Sequence, residues 1–369
     1  MDISNTAHSE GSSAFAKSGE QESKAAAELE LRNVSKRYPG QREPAIAELS
    51  FTVPAGEVCV LVGPSGSGKT TAMRLINRMI SISGGDILLG GHSVLHRDAR
   101  ELRREIGYVI QQIGLFPHQT VGENIATVPQ LLGWPKPRIA ARVDELLGLI
   151  GLDAEEMRDR YPAQLSGGQR QRVGVARALA ADPPLMLMDE PFGAIDPINR
   201  TRLQDEFLAL QQKVRKTVVF VTHDIDEAIK MGDRIAILRE GGHLAQYDTP
   251  REILIHPADE FVAQFVGADR GIKRLSLTTL GELKLAEPNG LQPGSLRAPP
   301  QTSVRDALSM ILTANGEPLA VVDGEERVQG LLTLSLIEQL LADEASANGA
   351  NGNGSPSRLL VDGDGEAAG

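Results

Sequence analysis

Residues 63–71 read Gly-Pro-Ser-Gly-Ser-Gly-Lys-Thr-Thr, and each type in the run suits a bound phosphate. Gly63, Gly66 and Gly68 let the backbone curl close to an anion with no side chain in the way. The curl, with Pro64, Ser65 and Ser67 between the glycines, aims backbone N–H groups and a helix N-terminus at negative charge. Lys69 supplies a point charge for the outer phosphates, Thr70 offers a hydroxyl to Mg²⁺, and Thr71 carries the run into the helix. The alternative is a glycine-rich turn that binds nothing. The run implies a nucleoside triphosphate and leaves open what its hydrolysis is for.

Three other sites have residue types that fit a phosphate. The apolar run Leu185–Met188 ends in Asp189-Glu190. An acid at the tip of a buried strand beside the phosphate strand is placed to hold Mg²⁺, directly or through water, and a second acid can polarise a water facing the terminal phosphate. The competing reading of the pair is a solvated helix cap. His223 ends another buried strand, in Val221-Thr222-His223-Asp224. Because parallel strands bring their carboxyl ends to one edge, His223 is a candidate contact for the terminal phosphate. Ser166-Gly167-Gly168-Gln169 opens a helix and forms a second anion-binding cap. One nucleotide does not need two such caps from one chain, so a second copy of the protein is expected to close over it.

The elements that must position these residues are legible around them. Val58–Val62 reads as a buried strand and residues 72–79 as a helix, which is the context a phosphate-binding loop needs. Before it, Leu29, Leu31 and Val34, then Ile46, Leu49, Phe51 and Val53, alternate as half-exposed antiparallel strands would. Ile106–Ile110, Leu185–Met188, Val218–Val221 and Arg234–Leu238 are apolar runs with helices between most of them, which indicates a mainly parallel sheet. Residues 120–160 change to helical spacing, interrupted at Trp134-Pro135-Lys136-Pro137, and read as an inserted helical subdomain in which Trp134 packs. A linker-like stretch over 268–296, with a basic pair at Lys273-Arg274, leads to a helix–strand–strand–helix unit over about 302–342.

Bulk properties bound the class. A length of 369 residues suggests two domains at about 150 residues each. Residues 1–30 carry six acids and two bases and residues 343–369 five acids and one base, so most of the net charge of −11 lies in the two ends. The body is near neutral, which argues against a nucleic-acid surface. Residues 1–27 and 344–369 are poor in large apolar residues and are expected to be disordered. Cys59 is the single cysteine, inside the strand before the loop, and reads as a small buried residue. No apolar run approaches the roughly 18 residues that span a bilayer, and the first residues lack the apolar core of a secretory signal.

The order GPSGSGKT, YVIQQ, LSGGQ, LMLMDE, GAID, VTHD resembles the ATP-binding subunits of ABC transporters, over roughly residues 28–267. The resemblance implies a P-loop α/β fold with an antiparallel β subdomain and a helical insert at about 112–165. It implies a head-to-tail dimer with ATP and Mg²⁺ sandwiched between one subunit's phosphate loop and the other's signature. Under it Tyr38 stacks on adenine, and Gln111 touches Mg²⁺ and the attacking water. Ser166, Gly167, Gly168 and Gln169 grip the opposite subunit's ATP, and Asp196 couples the two sites. Glu190 is the general base, His223 the γ-phosphate switch and Asp189 a metal ligand. Ile195 stands where Leu is usual.

The stretches INRMI, IGYVIQQIGLFPHQTVGENIATVP, DEPFGAIDPINR and FVGADRGIKRLSL look like the ATPase of glycine betaine/carnitine/choline importers. That implies a membrane permease, an extracytoplasmic substrate-binding protein acting through it, and a place on the cytoplasmic face of the plasma membrane, with Phe116-Pro117-His118 near the coupling surface. An importer of polyamines, sulfate or another solute, and a soluble ABC ATPase acting on ribosomes or DNA, are the competing readings. Residues 297–343 look like one cystathionine-synthase-type (CBS) module. Gly330-Leu331-Leu332-Thr333 is followed by Leu334, Ser335 and Leu336, without the aspartate that nucleotide-binding CBS modules place there. The module either pairs with its twin in a dimer or is a structural remnant.

Overall fold

The computed structural model describes residues 25–110, 114–193, 195–288 and 295–341. Apart from residues 25–27, the ends expected to be disordered lie outside the described residues. Ala27, assigned from composition to the N-terminal tail, is bonded to the body: its N–H donates to Pro184 O at 3.2 Å and its carbonyl accepts from Thr217 Oγ1 at 2.7 Å.

Strands β1 (Leu29–Lys36) and β2 (Ile46–Val53) pair antiparallel, with Leu29 opposite Val53 and Leu31 opposite Phe51. Their alternating apolar residues are buried, as a sheet with one face on a core requires. Strand β3 (Val58–Val62) follows, then α1 (Lys69–Ile76), β4 (Gly84–Leu89) and β5 (His92–Ser93). The first sheet has the order β2-β1-β4-β5. After α2 (Ala99–Glu105) and β6 (Ile106–Val109) come the helices α3 (Val121–Leu131), α4 (Lys136–Leu149), α5 (Ala154–Met157) and α6 (Gly167–Leu179). Trp134 is partly buried between α3 and α4, with the Arg138 guanidinium 3.5 Å from its ring centroid. The chain then alternates through β7 (Leu185–Asp189), α7 (Pro197–Val214), β8 (Thr217–Val221), α8 (Ile225–Met231), β9 (Arg234–Arg239) and β10 (His243–Asp248).

The second sheet has the order β10-β9-β3-β8-β7-β6, parallel except for the edge strand β10. Strand β3 is buried at all five positions because both its faces are covered. Val58, Val60 and Val62 join a core with the helical layer and α7, while Cys59 and Leu61 join a second core with α1 and the antiparallel sheet. That arrangement explains an unbroken apolar run where β1 and β2 alternate. One expectation needs correction. The strand ending in Asp189-Glu190 is not beside the phosphate strand, because β8, which leads to His223, lies between β3 and β7. Parallel right-handed crossovers place consecutive strands out of sequence order, and no local pattern reports that order.

Beyond α9 (Pro250–Ile255) and α10 (Glu260–Val266), the stretch read as a linker contains α11 (Arg270–Leu275). The basic pair on it is not a surface patch: Lys273 and Arg274 are each 8% exposed. Lys273 Nζ donates to Val266 O at 2.8 Å and pairs with Asp269 at 3.1 Å and Asp226 at 3.2 Å. Leu275 and Leu280 belong to the core of the C-terminal unit, formed by β11 (Arg297–Ala298), α12 (Val304–Thr313), β12 (Leu319–Val322), β13 (Val328–Leu332) and the helical residues 334–341. Among the described residues no helix is long and apolar enough to cross a membrane.

Candidate nucleotide site

The turn from β3 into α1 is shaped by its glycines. Gly63, Gly66 and Gly68 have φ of +152°, +83° and +88°. Open space lies over Gly66, so its side-chain-free face is available to a ligand. Gly68 has none: a Cβ there would lie 2.5 Å from Ala45 O and 2.6 Å from Ile46 Cδ1. Gly68→Ala is therefore expected to destabilise the fold by about 1–3 kcal/mol and weaken ATP binding, checked by thermal unfolding with and without ATP. An unchanged midpoint would show that the β1–β2 loop yields freely.

Lys69 Nζ donates to Gly63 O and Pro64 O, each at 2.8 Å, and approaches Ser67 Oγ at 3.3 Å. Burial pushes the Lys69 pKa down, while the charges of Glu190 and Asp189 pull it up. Helix α1 starts without a side-chain cap, so its first N–H groups, including those of Thr70 and Thr71, suit an anion.

The carboxyl ends of β3, β8 and β7 lie in a row, which brings the acids and the histidine to the loop. Thr70 Oγ1 is 3.5 Å from Asp189 Oδ1. Burial, then the neighbouring Glu190 charge, pushes the Asp189 carboxyl above its usual range, and Thr70, Arg74 and Lys69 pull it back. A divalent cation at Thr70 and Asp189 would offset that cost, so the donor set fits Mg²⁺. Among the described residues no group of three or more His, Cys, Asp or Glu forms a cage, so such an ion would depend on phosphate oxygens.

Glu190 has a φ of +44°, a conformation costing a non-glycine residue on the order of 1 kcal/mol or more. Its N–H donates to Val221 O at 3.0 Å, and its carbonyl accepts from Gly193 N at 3.1 Å. His223 Nδ1 lies 3.4 Å from Glu190 Oε1, and the histidine side chain is 65% exposed against 24% for the glutamate. The solvated-cap reading of the acid pair does not fit, since each carboxylate faces a partner from another element.

Ser166 caps α6 in a reciprocal box: Gln169 N donates to Ser166 Oγ at 3.2 Å and Ser166 N to Gln169 Oε1 at 2.9 Å. This leaves Gly167 and Gly168 as the side-chain-free start of the helix. Among the described residues no hydrogen bond or ion pair joins 166–169 to 63–71. Asp196 caps α7, accepting from Asn199 N at 3.1 Å and Asn199 Nδ2 at 2.8 Å; the Asn199 side chain is the main reason its carboxyl is held below the usual range. Tyr38 is half-buried on the β1–β2 loop, with the Lys36 ammonium 5.0 Å from its ring centroid. The far end of that loop touches Gly68 at Ala45 and Ile46. Gln111 lies outside the described residues. Residue-type reasoning missed Arg74, which helps keep Asp189 charged. Its signal was position, one helical turn after Thr70 on the same face of α1.

The ABC transporter family profile matches residues 46–193, from β2 through the Asp189-Glu190 turn. The chain is 48% identical over 307 residues to the osmoprotectant import ATP-binding protein OsmV of Salmonella typhimurium, covering 82% of this chain and 78% of that one. It is 48% identical over 311 residues to the choline transport ATP-binding protein OpuBA of Bacillus subtilis, covering 84% and 80%. Among solved structures, a dimeric ATP-binding cassette in a post-hydrolysis state with ADP and Pi bound matches with a TM-score of 0.53 and 34% identity, over 60% of this chain and 98% of that one. With its phosphate loop, paired acids and Ser166-capped helix all in place, the chain belongs to the ABC transporter family, as one of its ATP-binding proteins.

Proposed function

We propose that this chain is the ATP-hydrolysing subunit that powers import of a quaternary-amine osmoprotectant (glycine betaine, carnitine or choline) through a partner membrane permease. The observation that carries the cargo class is the 48% identity over most of the chain to proteins named for osmoprotectant and choline import. The phosphate loop from Gly63 to Thr71 holds the triphosphate, and Tyr38 stacks on the adenine. Thr70, Asp189 and Gln111 would hold Mg²⁺, which would supply positive charge to the phosphates. Glu190 accepts a proton from the attacking water, and His223, 3.4 Å from it, contacts the γ-phosphate. Ser166, Gly167, Gly168 and Gln169 of a second copy complete the site, and Asp196 links the two sites of the dimer.

The permease docks near Phe116-Pro117-His118. Phe116 is 40% exposed, while Asn124 Nδ2 fixes its backbone by donating to Phe116 O at 3.2 Å and Gln119 O at 3.1 Å. An extracytoplasmic binding protein delivers the solute to the permease, and this subunit sits peripherally on the inner membrane face. The ATP-binding domain covers 28–267, followed by a CBS-like module over 297–343. The test is ATP-dependent uptake of labelled glycine betaine, carnitine and choline by vesicles holding the full transporter. Uptake of at least one is expected. Uptake of a polyamine or sulfate with none of the three would overturn the cargo.

A further inference from the structure

His223 is largely exposed, and among the described residues its one side-chain contact is Glu190 at 3.4 Å. Its position must therefore come from the backbone on either side of it, Thr222 and Asp224. Both neighbours are tied to the first turn of α8. There Glu227 is 7% exposed and accepts from Gln204 Nε2 of α7 at 2.9 Å, with Gln204 itself 5% exposed. Thr222 also helps to hold the Glu227 carboxyl down. Thr222 Oγ1 in turn accepts from Asp224 N at 3.1 Å, and Asp224 Oδ1 accepts from Glu227 N at 3.3 Å. A second bridge runs parallel to the first, with Arg200 3.9 Å from Asp224. Arg200 and Gln204 are four residues apart, on one face of α7.

Helix α7 follows its cap Asp196, and Asp224, the cap of α8, comes one residue after His223. We infer that Glu227 is a positioning residue for hydrolysis, its buried bridge to Gln204 fixing the His223 turn against the helix that starts at Asp196. The inference rests on the reading of His223 as the γ-phosphate contact. A carboxylate is needed because the buried Gln204 amide donates to it. Burial pushes the Glu227 carboxyl up and Thr222 and Gln204 pull it back, so it is an acceptor held at a cost rather than a solvated surface acid. An amide in its place would set an NH₂ group against a donor.

The test uses the full transporter and compares wild type, Glu227→Gln, Gln204→Glu and the double variant Gln204→Glu/Glu227→Gln. The double variant reverses donor and acceptor, so the carboxylate at 204 accepts from the amide at 227. Glu227→Gln is expected to lower kcat about 10–100-fold, with the KM for ATP and the thermal midpoint little changed. The double variant is expected to recover kcat to within a few-fold of wild type. An unchanged kcat in Glu227→Gln, a loss seen only in KM, or a folded double variant as slow as Glu227→Gln would overturn the role. If Glu227→Gln does not fold, the double variant against Gln204→Glu decides. Wild type without ATPase activity would instead overturn the functional reading itself.

Discussion

Replacing Glu190 by Gln is expected to leave a protein that binds ATP and dimerises on it but turns over about 10²–10⁴ times more slowly. The substitution keeps the side chain's size and removes its basicity. It leaves Lys69, Thr70 and Asp189 in place, so nucleotide affinity has no reason to fall. The backbone at Glu190 is held in its strained conformation by Val221 and Gly193, through main-chain groups that the substitution does not touch. The expected signature is therefore a split: steady-state phosphate release nearly lost, and an ATP-dependent dimer that accumulates in gel filtration. Turnover near wild type would remove Glu190 from the role of base and shift attention to His223.

The second large effect concerns where the site is completed. In a mixed dimer with Lys69→Ala in one subunit and Ser166→Arg in the other, the head-to-tail arrangement puts both defects into the same site and leaves the other intact. With both substitutions in one subunit and a wild-type partner, each site carries one defect. In a Glu190→Gln background, the first dimer is expected to trap ATP at one site and the second at neither, measured as bound nucleotide per dimer. Trapping at one site by the second dimer and at neither by the first would mean that each chain builds its site alone. That outcome would require 166–169 to reach 63–71 within one chain, and no bond between them exists among the described residues.

What the sequence disclosed divides along the range of the interactions. The phosphate loop, the strand before it and the helix after it were legible because a nine-residue run fixes a local curl. The alternation in β1 and β2 and the unbroken run in β3 reported how many faces of each strand are covered. Strand order was not legible, so Asp189 was expected one strand closer to the loop than it lies. The segment over 268–296 looked like a linker because Lys273 and Arg274 are charged. Their burial depends on Val266 O, Asp226 and Asp269 for the lysine, and on Leu340 O for the arginine, some of them far along the chain. The Gln204–Glu227 bridge was hidden for the same reason, since neither residue type announces a partner 23 positions away.

The place of β3 between β8 and β9 sets a schedule for synthesis. Val58 pairs with Val218, and Cys59 with Arg234, so both partner strands of β3 are made some 160 residues or more after it. At roughly 5–20 residues per second a ribosome needs about 8–30 s to deliver them. Throughout that interval five consecutive apolar residues have neither sheet neighbour, and the loop that will hold ATP hangs from them. A nascent chain stalled before residue 217 thus presents a sticky, unpaired strand to its surroundings, and ATP cannot stabilise a chain whose paired acids have yet to be placed beside it.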